Sequence, residues 1–228
     1  MEPVGYPPGM ATKSRVAPEE AYTATPFLPE RGGLKAVREA AAGCRGCPLH
    51  EAATQTVFGA GNPHARVVLI GEQPGDQEDR QGKPFVGPAG RVLTRALDEA
   101  GIDPDDTYIT NAVKHFKFAY VPERGKRRIH KAPSLREMTA CRPWLDAEVR
   151  LVDPDVLIAL GATAGKALLG SSFRVTKQRG VLLPYEERGE CLVATIHPSA
   201  VLRVGDEDRE AAYAGLVSDL RVAARALA

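Results

Sequence analysis

The chain has 228 residues, 43% hydrophobic and 26% charged, which is globular composition on a length sufficient to bury its own core. Lys and Arg total 30 against 29 Asp and Glu, so the formal charge is +1; a uniformly basic nucleic-acid coat is excluded, but a local basic patch is not. No apolar run approaches the ~20 residues of a membrane span, and MEPVGYPPGM lacks the charged start and apolar stretch of a secretory signal. The expectation is a cytosolic, monomeric protein with no membrane partner.

Residues 1–33 read as a tail. Pro3, Pro7, Pro8, Pro18, Pro26 and Pro29 break up any apolar periodicity, and such a segment buries too little surface to offset its ordering entropy. The expectation is disorder over 1–33 and one folded domain over 34–228. Within that domain Leu34 to Ala42 predicts a helix leading into Cys44. Arg66-Val-Val-Leu-Ile-Gly71 is a continuous apolar run ending at Gly, as in a buried parallel strand. Gly90 to Ala100 predicts a helix with Val92, Leu93, Ala96, Leu97 and Ala100 on one face, stopped by Gly101. Thr107 to Asn111 is the next strand. Ser134 to Val152 is a long helix, with Ser134 and Glu137 spaced as a capping box. Asp155 to Gly161 is a third strand, and Thr163 to Leu169 a short helix stopped by Gly170. Val175 to Leu183 reads as an excursion at the sheet edge, Cys191 to His197 as the last buried strand, and Asp208 to Leu227 as the closing helix. Alternating strands and helices imply an α/β three-layer sandwich around a central, mostly parallel four-stranded sheet. Ligands in such sheets lie outside the carboxyl ends of the strands. Those ends are Gly71 to Asp76, Asn111 to Lys114, Gly161-Ala162-Thr163 and His197-Pro198-Ser199.

The chain has four cysteines, and in a reducing compartment clustered Cys points to metal or catalysis rather than to a bridge. Cys44-Arg-Gly-Cys47 suits redox, zinc or iron–sulfur chemistry, but it lacks the strand–helix context of a redox motif. Cys141 lies far along the chain, in the long helix. Cys191 starts a strand, at the end away from the crevice, where a small buried residue is the simpler reading. His115 follows the strand ending at Asn111. The preferred ligand set is therefore Cys44, Cys47, His115 and Cys141. Zinc and a 4Fe–4S cluster both suit three thiolates and an imidazole on chemistry alone.

Around the crevice, Glu72, Gln73 and Asp76 offer two carboxylates and an amide on a Gly-rich turn that lacks the spacing of a nucleotide-binding loop. Phe85 sits in Pro84-Phe-Val-Gly87, where it can stack on a base or join the core. From Val113 to Arg136 there are eight basic residues and one acidic, with Phe116, Phe118 and Tyr120 interleaved. Cations neutralise phosphates and aromatic rings stack on bases, so this is single-strand-binding composition, placed in a long loop beside the crevice. Lys114, Lys126, Arg127, Arg128, Lys131 and Ser199 are the candidate DNA contacts. His130 lies within the loop, and His197 precedes Pro198, where it can donate to developing negative charge.

Gly71-Glu-Gln-Pro-Gly75, Pro84-Phe-Val-Gly87, Thr110-Asn-Ala-Val-Lys114 and His197-Pro198-Ser199, in that order, resemble the motifs of family 4 uracil-DNA glycosylases. Cys44, Cys47 and Cys141 resemble that family's 4Fe–4S ligands. The likeness runs from about Leu34 to the C-terminus. His115 stands where most of the family has Cys, and the loop with Lys126-Arg-Arg-Ile-His130 is an addition; with Gln73 these features are similar to the UdgX subgroup, which excises uracil and stays covalently attached to the DNA. The resemblance implies a uracil-DNA glycosylase-like fold, a 4Fe–4S cofactor and uracil-containing DNA as partner, single strands preferred because the base must leave its stack. It implies Phe85 stacking on uracil, Asn111 reading its edge, and His197 donating to a uracil carbonyl. His130 is then the nucleophile at the sugar C1′. Glu72 orients it or accepts its proton, and Gln73 and Asp76 organise the loop. The rival readings are a hydrolytic family 4 enzyme with turnover and a non-enzymatic metal protein that binds nucleic acid.

Overall fold

The computed structural model describes residues 22–120, 127–185 and 189–228. A 3-10 turn at Thr25–Phe27 precedes α1 (Leu34–Ala41), α2 (Leu49–Ala52), β1 (Ala60–Gly61), β2 (Val67–Gly71), α3 (Asp76–Gln81) and α4 (Pro88–Ala100). Strand β3 (Thr107–Asn111) leads to an antiparallel pair, β4 (Phe118–Tyr120) and β5 (Arg128–His130). Next come α5 (Leu135–Val152), β6 (Val156–Leu160), α6 (Gly161–Leu169), α7 (Val175–Gln178) and β7 (Leu182–Pro184). Strand β8 (Glu190–Thr195), α8 (Pro198–Arg203) and α9 (Asp206–Ala226) complete the described chain.

The main sheet has the order β1-β3-β2-β6-β8-β7. Its four central strands are parallel, as expected, while β1 and β7 add short antiparallel edges. The sheet therefore has six strands rather than four. Strands of two and three residues are too short to show a period, so β1 leaves no sequence signal and β7 lies at the end of the expected edge excursion from Val175 to Leu183.

Strands β2 and β6 are buried at every position, so each feeds both faces. Val68, Ile70, Leu157 and Ala159 pack against Leu145 and Val149 of α5 and Ala164 and Leu168 of α6. Val67, Leu69, Ile158 and Leu160 pack against Leu93 and Leu97 of α4 and Leu216 and Leu220 of α9. These are the three layers. Ser134 caps α5 through the expected box with Glu137. Among the described residues no helix is long and apolar enough to cross a membrane.

A third cluster joins α1, α2 and the first half of α5 through Val37, Ala41, Phe58, Ala140 and Trp144. It corrects the expected extent of the tail. Ala24 is buried and its N–H donates to the Ala140 carbonyl at 2.8 Å, while Tyr22, Phe27 and Leu28 pack on the cluster. Four apolar side chains within seven residues outweigh the prolines around them. Residues 1–21 lie outside the described residues.

Candidate active site

Strand order reverses at β2: the chain moves to β3 on one side and to β6 and β8 on the other. A cleft of about 690 Å³ opens at the carboxyl ends of these strands, at the point of reversal. Glu72, Phe85, Asn111, His130, Thr163 and His197 line it. Register explains the convergence. Gly71 pairs with Asn111 and Leu160 with Thr195, so the residues that follow emerge together on one edge.

Phe85 holds a left-handed backbone, φ 55°, which is uncommon outside glycine. Two glycines make room for it. A Cβ on Gly90 would lie 1.7 Å from the Phe85 carbonyl oxygen, and one on Gly71 would lie 2.8 Å from the Phe85 ring and 2.3 Å from Asn111 Oδ1. The Phe85 ring stacks beside His197, centroids 5.8 Å apart and planes 29° apart. Asn111 is 2% exposed, and among the described residues its Oδ1 is a buried acceptor with no hydrogen-bond partner.

His197 caps α8. The Ser199 N–H donates to its Nδ1 at 3.2 Å, so the neutral ring carries its proton on Nε2. Burial, and then the charge of Arg203, push the imidazole down to about 4, which leaves it neutral at pH 7. Ser199 Oγ lies 2.8 Å from His197 Nδ1 and 2.9 Å from Arg203 Nη1, so its nearest role is to hold the histidine. His130 is half exposed on β5, with Nε2 3.3 Å from Glu72 Oε1. Burial also lowers its pKa; Glu72 opposes that shift and Arg203 adds to it. Thr163, at the start of α6, donates its hydroxyl to Glu72 Oε2.

The segment around His130 is a two-stranded ribbon rather than a long loop, with His130 paired to Phe118. Phe116, Phe118 and Tyr120 alternate along the chain with the period of two that a strand requires, and Phe118 and Tyr120 pair with His130 and Arg128. Gln73 ties both arms to the end of β2. Its Oε1 accepts from Lys117 N–H at 3.1 Å, and its Nε2 donates to the carbonyls of Lys117 at 3.1 Å and Lys131 at 3.0 Å. Arg128 locks the ribbon to α3 through Asp76 Oδ1 at 2.5 Å and Asp79 Oδ2 at 2.6 Å.

Two expected DNA contacts are corrected by these facts. The Arg128 side chain is only 7% exposed and spent on carboxylates. Lys114 is fully buried and paired with Glu148, out of reach of any phosphate. Arg127 and Lys131 are exposed on the ribbon, whereas Lys126 lies outside the described residues. Asp76 faces Arg80 and Arg128, which hold its carboxyl below the usual range despite some burial, and so it anchors rather than reacts. Thr163, Asp79 and Glu148 were not singled out from sequence. Only Thr163 left a trace there, at a strand end.

Cys44, Cys47 and Cys141 share the third hydrophobic cluster, and none of the four cysteines is in a disulfide. Trp144 Nε1–H donates to Cys44 Sγ and Lys114 N–H to Cys141 Sγ, each at 3.2 Å. His115 is buried nearby in sequence, with Nε2 2.9 Å from Thr56 Oγ1. Among the described residues, no three His, Cys, Asp or Glu stand arranged as a metal-holding group. The donor chemistry nevertheless fits one: three buried thiols in one hydrophobic cluster, two of them already receiving N–H donors of the kind that stabilise thiolates. Cys191 lies in the core beside β6, apart from this cluster.

Residues 58–221 match the Uracil DNA glycosylase superfamily, most of the described fold and every cleft residue included. This chain belongs to that superfamily. Among curated relatives, the type-4 uracil-DNA glycosylase of Thermotoga maritima is 39% identical over 171 residues, covering 75% of this chain and 83% of the relative. That of Sulfurisphaera tokodaii is 34% identical over 176 residues, covering 74% and 76%. A type-5 uracil-DNA glycosylase of Thermus thermophilus is 35% identical over 128 residues, covering 50% of this chain and 53% of the relative.

Proposed function

We propose that this protein is a uracil-DNA glycosylase of the UdgX kind, which excises uracil and remains joined through His130 to the sugar it leaves. The observation that carries the proposal is the cleft itself. An unpartnered buried acceptor, Asn111 Oδ1, lies on one side, and an imidazole held against a carboxylate, His130 and Glu72, lies on the other. The naming of the relatives as uracil-DNA glycosylases supports the substrate.

The target nucleotide leaves its stack and enters the cleft; a single strand needs no unpairing, so it is the favoured substrate. Phe85 stacks on the base. Asn111 Oδ1 accepts the uracil N3–H, which cytosine lacks. Neutral His197 donates its Nε2–H to a uracil carbonyl and stabilises the departing anion. As the bond from C1′ to the base breaks, its electron pair leaves with uracil. The lone pair of neutral His130 forms the new bond to C1′, and Glu72 accepts the remaining imidazole proton. The product is a neutral alkyl-imidazole, a poor leaving group, so the adduct persists. Arg127 and Lys131 face solvent on the same ribbon, placed to meet flanking phosphates. Cys44, Cys47, His115 and Cys141 would hold a 4Fe–4S cluster, whose part is to cross-link the segments that carry them.

The test is direct. Mixed with uracil-containing single-stranded DNA, the protein should give a species that survives heat and detergent on a denaturing gel. His130→Ala should lose that species while still releasing uracil. DNA that runs free of wild-type protein, with uracil released, would establish the hydrolytic reading instead.

A further inference from the structure

The carboxylate behind His130 is held from a second strand end. Glu72 follows β2 and Thr163 opens α6 after β6, so the two meet across the reversal of strand order. The Thr163 hydroxyl donates to Glu72 Oε2, and the other oxygen, Oε1, faces His130 Nε2 at 3.3 Å. A glutamate has three side-chain torsions, and Glu72 is 21% exposed in an open cleft, so burial alone does not fix it. The cationic side chain lining the cleft near the histidines is Arg203, which would attract a released carboxylate.

We infer that Thr163 is a positioning residue that decides whether the reaction ends in capture by His130 or in hydrolysis. This rests on the covalent reading above. By occupying Oε2, the hydroxyl leaves Glu72 a single oxygen for the imidazole, so the ring is oriented and its proton has one acceptor. With that hydroxyl gone, Glu72 samples other rotamers and His130 loses both its orientation and its acceptor. Uracil departure is less affected, because Phe85, Asn111 and His197 make no contact with Thr163 among the hydrogen bonds of the cleft. The oxocarbenium-like sugar is then left to water.

The experiment uses full-length protein and a uracil-containing single strand under single-turnover conditions. Adduct, free abasic sites and released uracil are measured together for wild type, Thr163→Val and Thr163→Ser. Thr163→Val keeps shape without the hydroxyl; it should lower the ratio of adduct to free abasic sites at least tenfold while uracil release stays within about threefold. Thr163→Ser should restore the ratio. An unchanged ratio in Thr163→Val, a parallel fall of adduct and release, or failure of the serine to rescue would each overturn the inference. An absent adduct in wild type would instead remove the covalent reading itself.

Discussion

At Asn111, a buried carbonyl oxygen without a partner costs about 1–3 kcal/mol. The fold tolerates this because Gly71 gives the side chain space and Lys114 holds the Asn111 backbone carbonyl at 2.7 Å. A base bearing an N–H at the right edge recovers the lost hydrogen bond, which makes the strained residue a selective one. His197 carries a comparable tension in its charge state. Its folded pKa of about 4 lies below the ordinary 6.5, so the unfolded chain binds the proton more readily. The stabilisation it contributes is complete above pH 6.5 and is lost as pH falls from 6.5 towards 4. By pH 5 the loss should be about 2 kcal/mol relative to pH 7.5. Urea midpoints of wild type and His197→Gln at both pH values check this; the mutant should lose less stability on acidification. The polar strand ends were legible in the sequence as residue types, but the tautomer of His197 was not, because it depends on the Ser199 backbone N–H.

The ribbon β4–β5 owes its position to contacts made by other elements. Two strands of three residues are not independently stable; Gln73 and the pair Asp76 and Asp79 fasten this one to β2 and α3. The basic composition of the segment suggested a phosphate-binding loop throughout. Arg127 and Lys131 are exposed, whereas Arg128 is an internal clamp. Charge alone does not distinguish the two roles, because a buried acid partner 49 residues away in sequence is invisible to composition. The third cluster is the same kind of assembly, bringing Cys44 and Cys47 after α1 to Cys141 in α5. Purified protein should be brown and contain iron and acid-labile sulfide, and Cys141→Ser should lose both along with several degrees of thermal stability. A colourless protein with zinc would move the site to the other metal.

At the scale of the whole molecule, a fully buried carboxylate ties one helical layer to the sheet. Glu148 of α5 accepts from Gly59 N–H, Tyr108 Oη and Thr110 Oγ1 at 2.9–3.0 Å, and it pairs with Lys114. It thereby ties β1's approach, β3, α5 and the segment after Asn111 to a single centre. Breaking a buried pair leaves an uncompensated charge. Glu148→Leu should therefore cost about 3–5 kcal/mol in urea unfolding, and uracil excision should fall as Lys114 releases Asn111. The double variant Glu148→Leu with Lys114→Met should recover much of the stability. A single variant as stable as wild type would show that the network contributes little.

The sequence by itself determined the alternation of strands and helices, the caps and stops at Ser134, Gly101 and Gly170, and the polar character of each strand end. These follow from local periodicity and from the backbone preferences of single residues, which act within a few positions of the chain. The tertiary structure alone decided which cations face solvent, that Arg128 turns inward to Asp76 and Asp79, and that Thr163 reaches Glu72. Those depend on pairings between residues tens of positions apart, set by sheet order and register. The near-zero net charge then has a structural meaning: two of the basic residues that seemed to await DNA, Lys114 and Arg128, are already neutralised inside the fold.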